Sequence, residues 1–286
     1  MNSKDFTEPL GGVITWNINT ACNYRCSYCT QRHLKDRTRR GGEIEAFLRA
    51  FAQLPGIWEI KLSGGEPFLH PKLDELVSGI VSLGHYVSIV SNFSANISRL
   101  SSFLEAAGDH LKVFSISLHR EYVNTELALL EFTNKINWLR SHIPTHSSVN
   151  VTCVATRDNL PHLVSLHSWF MSHKITFKIQ PEKQDREVIK YSPEEELLLK
   201  RLGGHNQLQE IAFNFKGRLC WAGSRYFTLD DRGDAWRCYP ARRYRKEYLG
   251  NILKGSLQLF DTPRPCLYTY CNCTVPIERR MMFVKE

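Results

Sequence analysis

Short apolar runs alternate with longer amphipathic ones from Val13 to Pro181. Val13 to Ile18 reads as a first strand, and Glu43 to Leu54 as a helix with Ile44, Phe47, Leu48 and Phe51 on one face. Trp58 to Leu62 predicts a second strand that runs straight into Ser63-Gly64-Gly65-Glu66-Pro67. The alternation continues with a helix from Pro71 to about Leu83 and a strand over Tyr86 to Val90 that ends in Ser91-Asn92. A helix over Ile97 to Ala107 precedes a strand from Val113 to Leu118 that closes on His119. A helix over Thr125 to His142, a strand over Val149 to Ala155, a helix over Leu160 to His173 and a strand over Thr176 to Ile179, ending at Gln180-Pro181, complete six βα-like units. Strand and helix in strict alternation are the pattern of helices packed on a parallel sheet. Six units in roughly 170 residues fall short of the ~250 that a closed eight-unit barrel takes. The expected fold class is therefore α/β, a partial, open (β/α)6 TIM barrel.

The pattern changes from Glu182. Ser192-Pro193-Glu194-Glu195-Glu196 starts a helix, with proline in its first turn and acids at its positive end, and Gly203-Gly204 stops it. Short strand-like runs and five of the nine cysteines follow. The expected division is a tail over 1–12, the barrel over 13–204 and a small cysteine-rich module over 205–286.

Composition narrows the classes. The chain has 286 residues, 42% hydrophobic and 23% charged, an ordinary globular balance. No run approaches the ~20 apolar residues that span a bilayer, and the first residues lack the apolar centre of a signal peptide. A cytoplasmic, reducing setting is expected, in which nine cysteines point to metal or cluster ligands rather than a disulfide framework. The net charge of +8 includes one basic cluster at Arg32, Lys35, Arg37, Arg39 and Arg40 and another at Arg242, Arg243, Arg245 and Lys246. Neither carries an RNA-binding motif, so nucleic acid is not expected. A solvated surface comes first, and an acidic peptide or partner protein second.

Three thiols, Cys22, Cys26 and Cys29, fall within eight residues directly after the first strand. A loop that short can wrap three sulfurs around one centre and cannot supply a fourth. A structural zinc site takes four protein ligands. An iron–sulfur cluster with three thiolates keeps one iron open for a further ligand. This C-x3-C-x2-C spacing, followed at the second strand by Gly64-Gly65-Glu66-Pro67, resembles the radical S-adenosylmethionine (radical SAM) enzymes from Val13 to about Pro181.

That resemblance implies a [4Fe–4S] cluster on Cys22, Cys26 and Cys29, whose open iron takes the amino and carboxylate groups of SAM. Gly64, Gly65 and Glu66 would receive the SAM amino group: the glycines let a ligand approach the backbone, and the carboxylate accepts from an ammonium. Tyr28 matches a position near the adenine, and Ser91, Asn92, Ser117 and Gln180 match positions that contact SAM. His119 is either a structural histidine or one that reaches substrate. Cys153 is either a core residue or a hydrogen-atom donor directed into the barrel.

Cys220, Cys238, Cys266, Cys271 and Cys273 remain. Phe227 to Leu229 and Ala235 to Arg237 flank Asp230-Asp231-Arg232-Gly233-Asp234, a hairpin turn that would bring Cys220 and Cys238 together. With Leu249 to Ile252 and the late cysteines, this resembles the SPASM/twitch extensions of radical SAM enzymes, which hold auxiliary [4Fe–4S] clusters. Five thiols suit a single auxiliary cluster. Cys220 and Cys238 are expected ligands, two or three of Cys266, Cys271 and Cys273 complete the set, and a zinc ribbon is the alternative.

The function implied is reductive cleavage of SAM to a 5′-deoxyadenosyl radical that abstracts a substrate hydrogen, on a ribosomally made peptide. The alternative enzyme is a small-molecule dehydrogenase acting on an aminocyclitol or sugar alcohol. The alternative of another class is a non-catalytic iron–sulfur electron carrier, against which the intact Gly64-Gly65-Glu66 stands. A reductase such as flavodoxin or ferredoxin is an expected partner. So is a separate leader-peptide-binding protein, because about a dozen residues precede the first strand.

Overall fold

The computed structural model describes residues 11–31, 43–184, 187–202, 214–269, 271 and 281–282. Its first six strands are β1 (Gly12–Asn19), β2 (Trp58–Gly64), β3 (Tyr86–Ser91), β4 (Leu111–Leu118), β5 (Ser148–Ala155) and β6 (Thr176–Pro181). Between them run α1 (Ile44–Phe51), α2 (Leu73–Ser82), α3 (Ile97–Ala107), α4 (Glu126–His142) and α5 (Leu163–Ser172). β1 to β6 pair in order, all parallel. Several strands run past their last apolar residue, to Asn19, Gly64, Ser91 and Pro181, so the polar strand ends belong to the sheet.

Helix starts follow side-chain chemistry. Asn96 and Thr125 accept from the backbone N–H groups of Arg99 and Ala128, so Thr125 caps α4 rather than opening it. Such caps contribute about 1 kcal/mol each. α6 (Pro193–Arg201) begins with Ser192 and Glu195 in a reciprocal capping box. A short hairpin, β7 (Lys183–Gln184) and β8 (Glu187–Val188), precedes it. The Gly203-Gly204 stop and the module boundary expected at 205 lie outside the described residues.

Register assigns the two faces of the sheet. Trp16, Leu62, Ile89 and Phe114 follow one another across β1 to β4, and Leu118, Cys153 and Ile179 across β4 to β6, all of them buried. This row meets the helices: the Trp16 ring lies 4.3 Å from Phe47 of α1, Phe114 5.8 Å from Phe103 of α3, and Phe177 4.9 Å from Phe170 of α5. The opposite face carries Thr15, Asn17, Lys61, Ser63, Ser88, Ser115, Ser117, Asn150, Thr152, Lys178 and Gln180. Many of these are only half-buried. One face is thus a dry interface with the helices, and the other is the hydroxyl-, amide- and lysine-lined interior of an open barrel.

The C-terminal strands join this same sheet. β9 (Leu219–Cys220) and β13 (Arg264–Pro265) form a separate antiparallel pair. β10 (Tyr226–Leu229) lies parallel to β1, with β11 (Asp234–Trp236) and β12 (Tyr248–Asn251) antiparallel beyond it. Among the described residues the main sheet therefore has nine strands, in the order β12-β11-β10-β1-β2-β3-β4-β5-β6. The β10–β11 hairpin turns where expected: Asp230 Oδ1 accepts from the N–H groups of Arg232 and Asp234 at 2.9 and 3.0 Å, and Gly233 takes φ 85°. A second small core forms where Val13 of β1 and Tyr226 of β10, both on the interior face, meet Phe215, Cys220, Cys238, Tyr268 and Cys271. The cysteine-rich segment thereby covers one flank of the barrel interior. No helix among the described residues is long and apolar enough to cross a membrane.

Candidate active site

The Cys22–Cys29 loop leaves the C-terminal end of β1 and is held there by the ends of three other strands. From β2, Gly65 N donates to Asn19 O at 3.0 Å and Glu66 N to Ala21 O at 2.8 Å. Asn19 Nδ2 donates to Glu66 O at 3.0 Å, and Gln31 Nε2 to Gly64 O at 3.1 Å. The two glycines serve this contact. A Cβ on Gly65 would lie 2.0 Å from Ala21 O, and one on Gly64, at φ 128°, 2.3 Å from Asn19 O. The backbone that approaches their Cα atoms is the chain's own, at Asn19 and Ala21.

Glu66 is likewise directed inward. It is buried; its Oε1 accepts from Phe68 N at 3.1 Å and Ser91 Oγ at 2.9 Å, and its Oε2 from Asn92 N at 2.7 Å. Burial pushes its carboxyl up to about 7, against the pull of these hydrogen bonds and of Lys135. Glu66 thus ties the end of β2 to the end of β3. Asn92 extends that tie to the loop, donating to Asn23 Oδ1 at 2.9 Å and to Cys22 Sγ at 3.9 Å.

β4 supplies the third side. His119 Nδ1 lies 3.2 Å from Cys26 Sγ and 2.8 Å from the Tyr28 hydroxyl. Burial lowers His119 to about 4, with Glu121 opposing, so its imidazole is neutral at neutral pH. Glu121 accepts from Ser27 N at 3.1 Å and from Ser27 Oγ at 2.5 Å. Tyr122 stacks on Tyr24 at 3.7 Å and accepts from Arg25 N at 2.5 Å. Sequence reasoning missed Asn23, Tyr24, Glu121 and Tyr122. They carry no motif, and only the crossing of the β4 end over the loop brings them together.

The thiols lie near enough to feel one another's charge. Burial raises Cys22, and it raises Cys26 to about 12, with Glu121, Cys29 and Cys22 adding to the rise at Cys26. Three sulfurs that repel one another as thiolates suit a cationic iron centre, whose charge reverses that penalty. The donor set therefore fits a cluster with three protein ligands. Ser117 and Gln180 lie farther along the interior face, on β4 and β6, level with Thr152 and Val154 of the intervening β5. Cys153 does not face the interior. Its register partners, Leu118 and Ile179, set it in the helix-facing row, fully buried, with Asn159 Nδ2 3.8 Å from its sulfur.

A second thiol group lies beside β10, around Tyr226. Cys220, Cys238, Cys266 and Cys271 line one small cavity with Phe215 and Tyr268. The β9–β13 pair sets Cys220 opposite Arg264, and Cys266 N donates to Arg218 O at 2.8 Å. Cys238 is raised well above its ordinary value by burial, and the charges of Cys271 and Cys266 add to this while Arg237 opposes. Four thiols around one cavity fit an auxiliary cluster. Among the described residues no three His, Cys, Asp or Glu side chains converge on a single-ion site. Cys273 and the Arg32–Arg40 cluster lie outside the described residues. Tyr239, next to Cys238, reaches Asn17 of the barrel interior at 3.5 Å.

Comparison with known proteins agrees with this geometry. The family model described as the radical SAM superfamily matches residues 16–145. GTP 3′,8-cyclase of Stenotrophomonas maltophilia (strain K279a) is 36% identical over 115 residues, which are 38% of this chain and 35% of that protein. The match thus spans about a third of the length of that curated relative. Among solved structures, Streptococcus suis SuiB bound to the precursor peptide SuiA superposes with a TM-score of 0.61 at 14% identity, over 87% of this chain and 64% of that one. The structure of anSMEcpe with AdoMet and the Kp18Cys peptide gives 0.62 at 17%, over 89% and 81%. At such identities these two likenesses establish the fold.

Proposed function

We propose that this chain, whose residues 16–145 match the radical SAM superfamily model, is a radical SAM enzyme that modifies a ribosomally made peptide by hydrogen-atom abstraction. The observation that carries the reading is the loop of Cys22, Cys26 and Cys29 gripped by the ends of β2, β3 and β4, above a polar barrel interior. Cys22, Cys26 and Cys29 would hold a [4Fe–4S] cluster, and Tyr28, Gly64 to Glu66, Ser91, Asn92, Ser117 and Gln180 would border SAM. When bound, cluster and SAM together supply a 5′-deoxyadenosyl radical for hydrogen abstraction.

The chain's own residues orient and exclude. His119 and Asn92 fix the Cys26 and Cys22 sulfurs, and Glu66 locks the strand ends on which the SAM-facing backbone depends. Cys220, Cys238, Cys266 and Cys271 would hold the auxiliary [4Fe–4S] cluster, in a module from about 205 that closes one flank of the interior. Four thiols around one cavity suit a cluster and also a four-thiolate zinc site, and the iron content of the second site decides between them. Cys273, outside the described residues, stays a further candidate ligand.

The peptide substrate is supported by the coverage of SuiB and anSMEcpe, both solved with peptides, over most of this chain. A small-molecule substrate is the second reading, favoured by the GTP 3′,8-cyclase relative. In the cytoplasm the chain would take electrons from a flavodoxin- or ferredoxin-type reductase, and a separate leader-binding protein would deliver the peptide. The test is anaerobic incubation of the reconstituted protein, SAM and reductant with a precursor peptide encoded beside its gene. A two-dalton loss or other mass change in the peptide supports the reading. An unchanged peptide together with a converted nucleotide or aminocyclitol would replace it with the second.

A further inference from the structure

The side chain of Arg237 is 3% exposed beside the C-terminal thiols. Its Nε donates to Ala222 O at 3.0 Å, two residues past Cys220. Nη1 donates to Glu247 Oε1 at 2.6 Å and to Pro265 O at 3.0 Å, and Nη2 to Arg264 O at 2.7 Å; Cys266 follows directly. Glu247 Oε2 accepts from the Tyr268 hydroxyl at 2.7 Å, between Cys266 and Cys271. Arg237 N donates to Glu247 O at 3.1 Å, and Cys238 is the next residue. One guanidinium, with its carboxylate partner, therefore ties the chain beside each of the four thiols.

A buried ion pair of this kind is weak evidence for stability, because apolar residues of similar volume often do as well. It does two things an apolar plug cannot. The planar fork fixes three carbonyls from two separate segments at set angles. Its charge also stays in a poorly hydrated site, where it acts strongly on whatever the thiols bind.

We propose that Arg237 and Glu247 form the positioning and potential-setting pair of the C-terminal iron–sulfur cluster. This rests on the reading of Cys220, Cys238, Cys266 and Cys271 as its ligands. Arg237 holds the segments of the thiols at the spacing the cluster needs, and its charge favours the reduced, more negative cluster. Glu247 opposes that charge and sets how far it acts. Hydrogen bonds, local charge and burial are the means by which a protein tunes such a centre.

The test uses the full chain reconstituted with iron and sulfide, with both cluster midpoints read by redox titration followed by electron paramagnetic resonance. Glu247→Gln, which keeps the volume and an acceptor oxygen, is expected to retain its iron and to shift the second midpoint upward, leaving the first unmoved. Arg237→Gln is expected to shift the second midpoint downward and to lose that cluster faster to a chelator. Arg237→Lys, which keeps charge without the fork, is expected to hold the midpoint better than the glutamine variant while still losing iron faster than the parent. Midpoints that stay put, or that move the same way in Glu247→Gln and Arg237→Gln, overturn the proposal alone. A parent chain that holds one cluster, or zinc at the second site, overturns the ligand reading and the proposal together.

Discussion

The Cys26 sulfur lies 3.2 Å from Nδ1 of His119, 93 residues away in the chain. The same nitrogen lies 2.8 Å from the Tyr28 hydroxyl, so one imidazole fixes two residues of the cysteine loop. His119→Ala is expected to cut SAM cleavage about tenfold or more, the usual cost of losing a ligand's outer partner, with iron content largely kept. Parallel assays of 5′-deoxyadenosine and iron check this; unimpaired cleavage would make His119 a spectator.

Gly65→Ala places a Cβ where Ala21 O stands, at 2.0 Å. The loop has to move away from β2, so the variant is expected to lose the first cluster and keep the second. About four irons per chain should be lost. Full iron occupancy and normal SAM cleavage would contradict the close contact.

Glu66 gives a signed pH dependence. Its carboxyl is raised from 4.5 to about 7 by burial. Below 4.5 the folded and unfolded chains both hold the proton, and burial carries no penalty. As pH rises from 4.5 to about 7 the unfolded chain ionises first, so the folded state loses stability. Above that the loss is complete, at about 3 kcal/mol. Glu66→Gln should flatten this slope in urea titrations of the apo-protein. A slope equal to the parent's would assign it to another group.

Much of this arrangement was legible in the chain. The six strands and their helices emerged from periodicity because one face of each strand is buried against a helix. The βα pattern therefore located β1 to β6 to within a few residues, missing ends such as Asn19, Ser91 and the Leu111 start of β4. Cys22, Cys26, Cys29 and Gly64 to Glu66 were legible because they are local motifs. What Gly65 and Glu66 touch was not, since Ala21 and Asn92 reach them only through parallel pairing. The short β10 also gave no sign that it would lie parallel to β1, because a four-residue strand fixes no partner by itself. Arg237 read as one more basic residue, and only the convergence of Ala222, Glu247, Arg264 and Pro265 distinguishes it.

Cys153 illustrates how register decides a side chain's part. Paired with Leu118 and Ile179, it faces the helices. Cys153→Ala is expected to leave turnover unchanged and to lower stability by about 1 kcal/mol. Loss of turnover at unchanged SAM cleavage would restore it as a hydrogen donor.

The late cysteines separate by substitution. Cys220, Cys238, Cys266 and Cys271 line one cavity, so each changed to Ser should remove the second cluster, about four irons per chain. Cys273 lies outside the described residues, and retention of the cluster in Cys273→Ser would leave these four as the ligand set. A Cys273 variant that loses the cluster while Cys266→Ser retains it would redraw the ligand set.

The most direct measurement is 5′-deoxyadenosine released from SAM by the anaerobically reconstituted, dithionite-reduced chain, beside a variant with Cys22, Cys26 and Cys29 all changed to Ala. The parent is expected to form it and the triple variant to form none. A parent that carries its iron and forms no 5′-deoxyadenosine, or a triple variant that forms as much as the parent, would contradict the account.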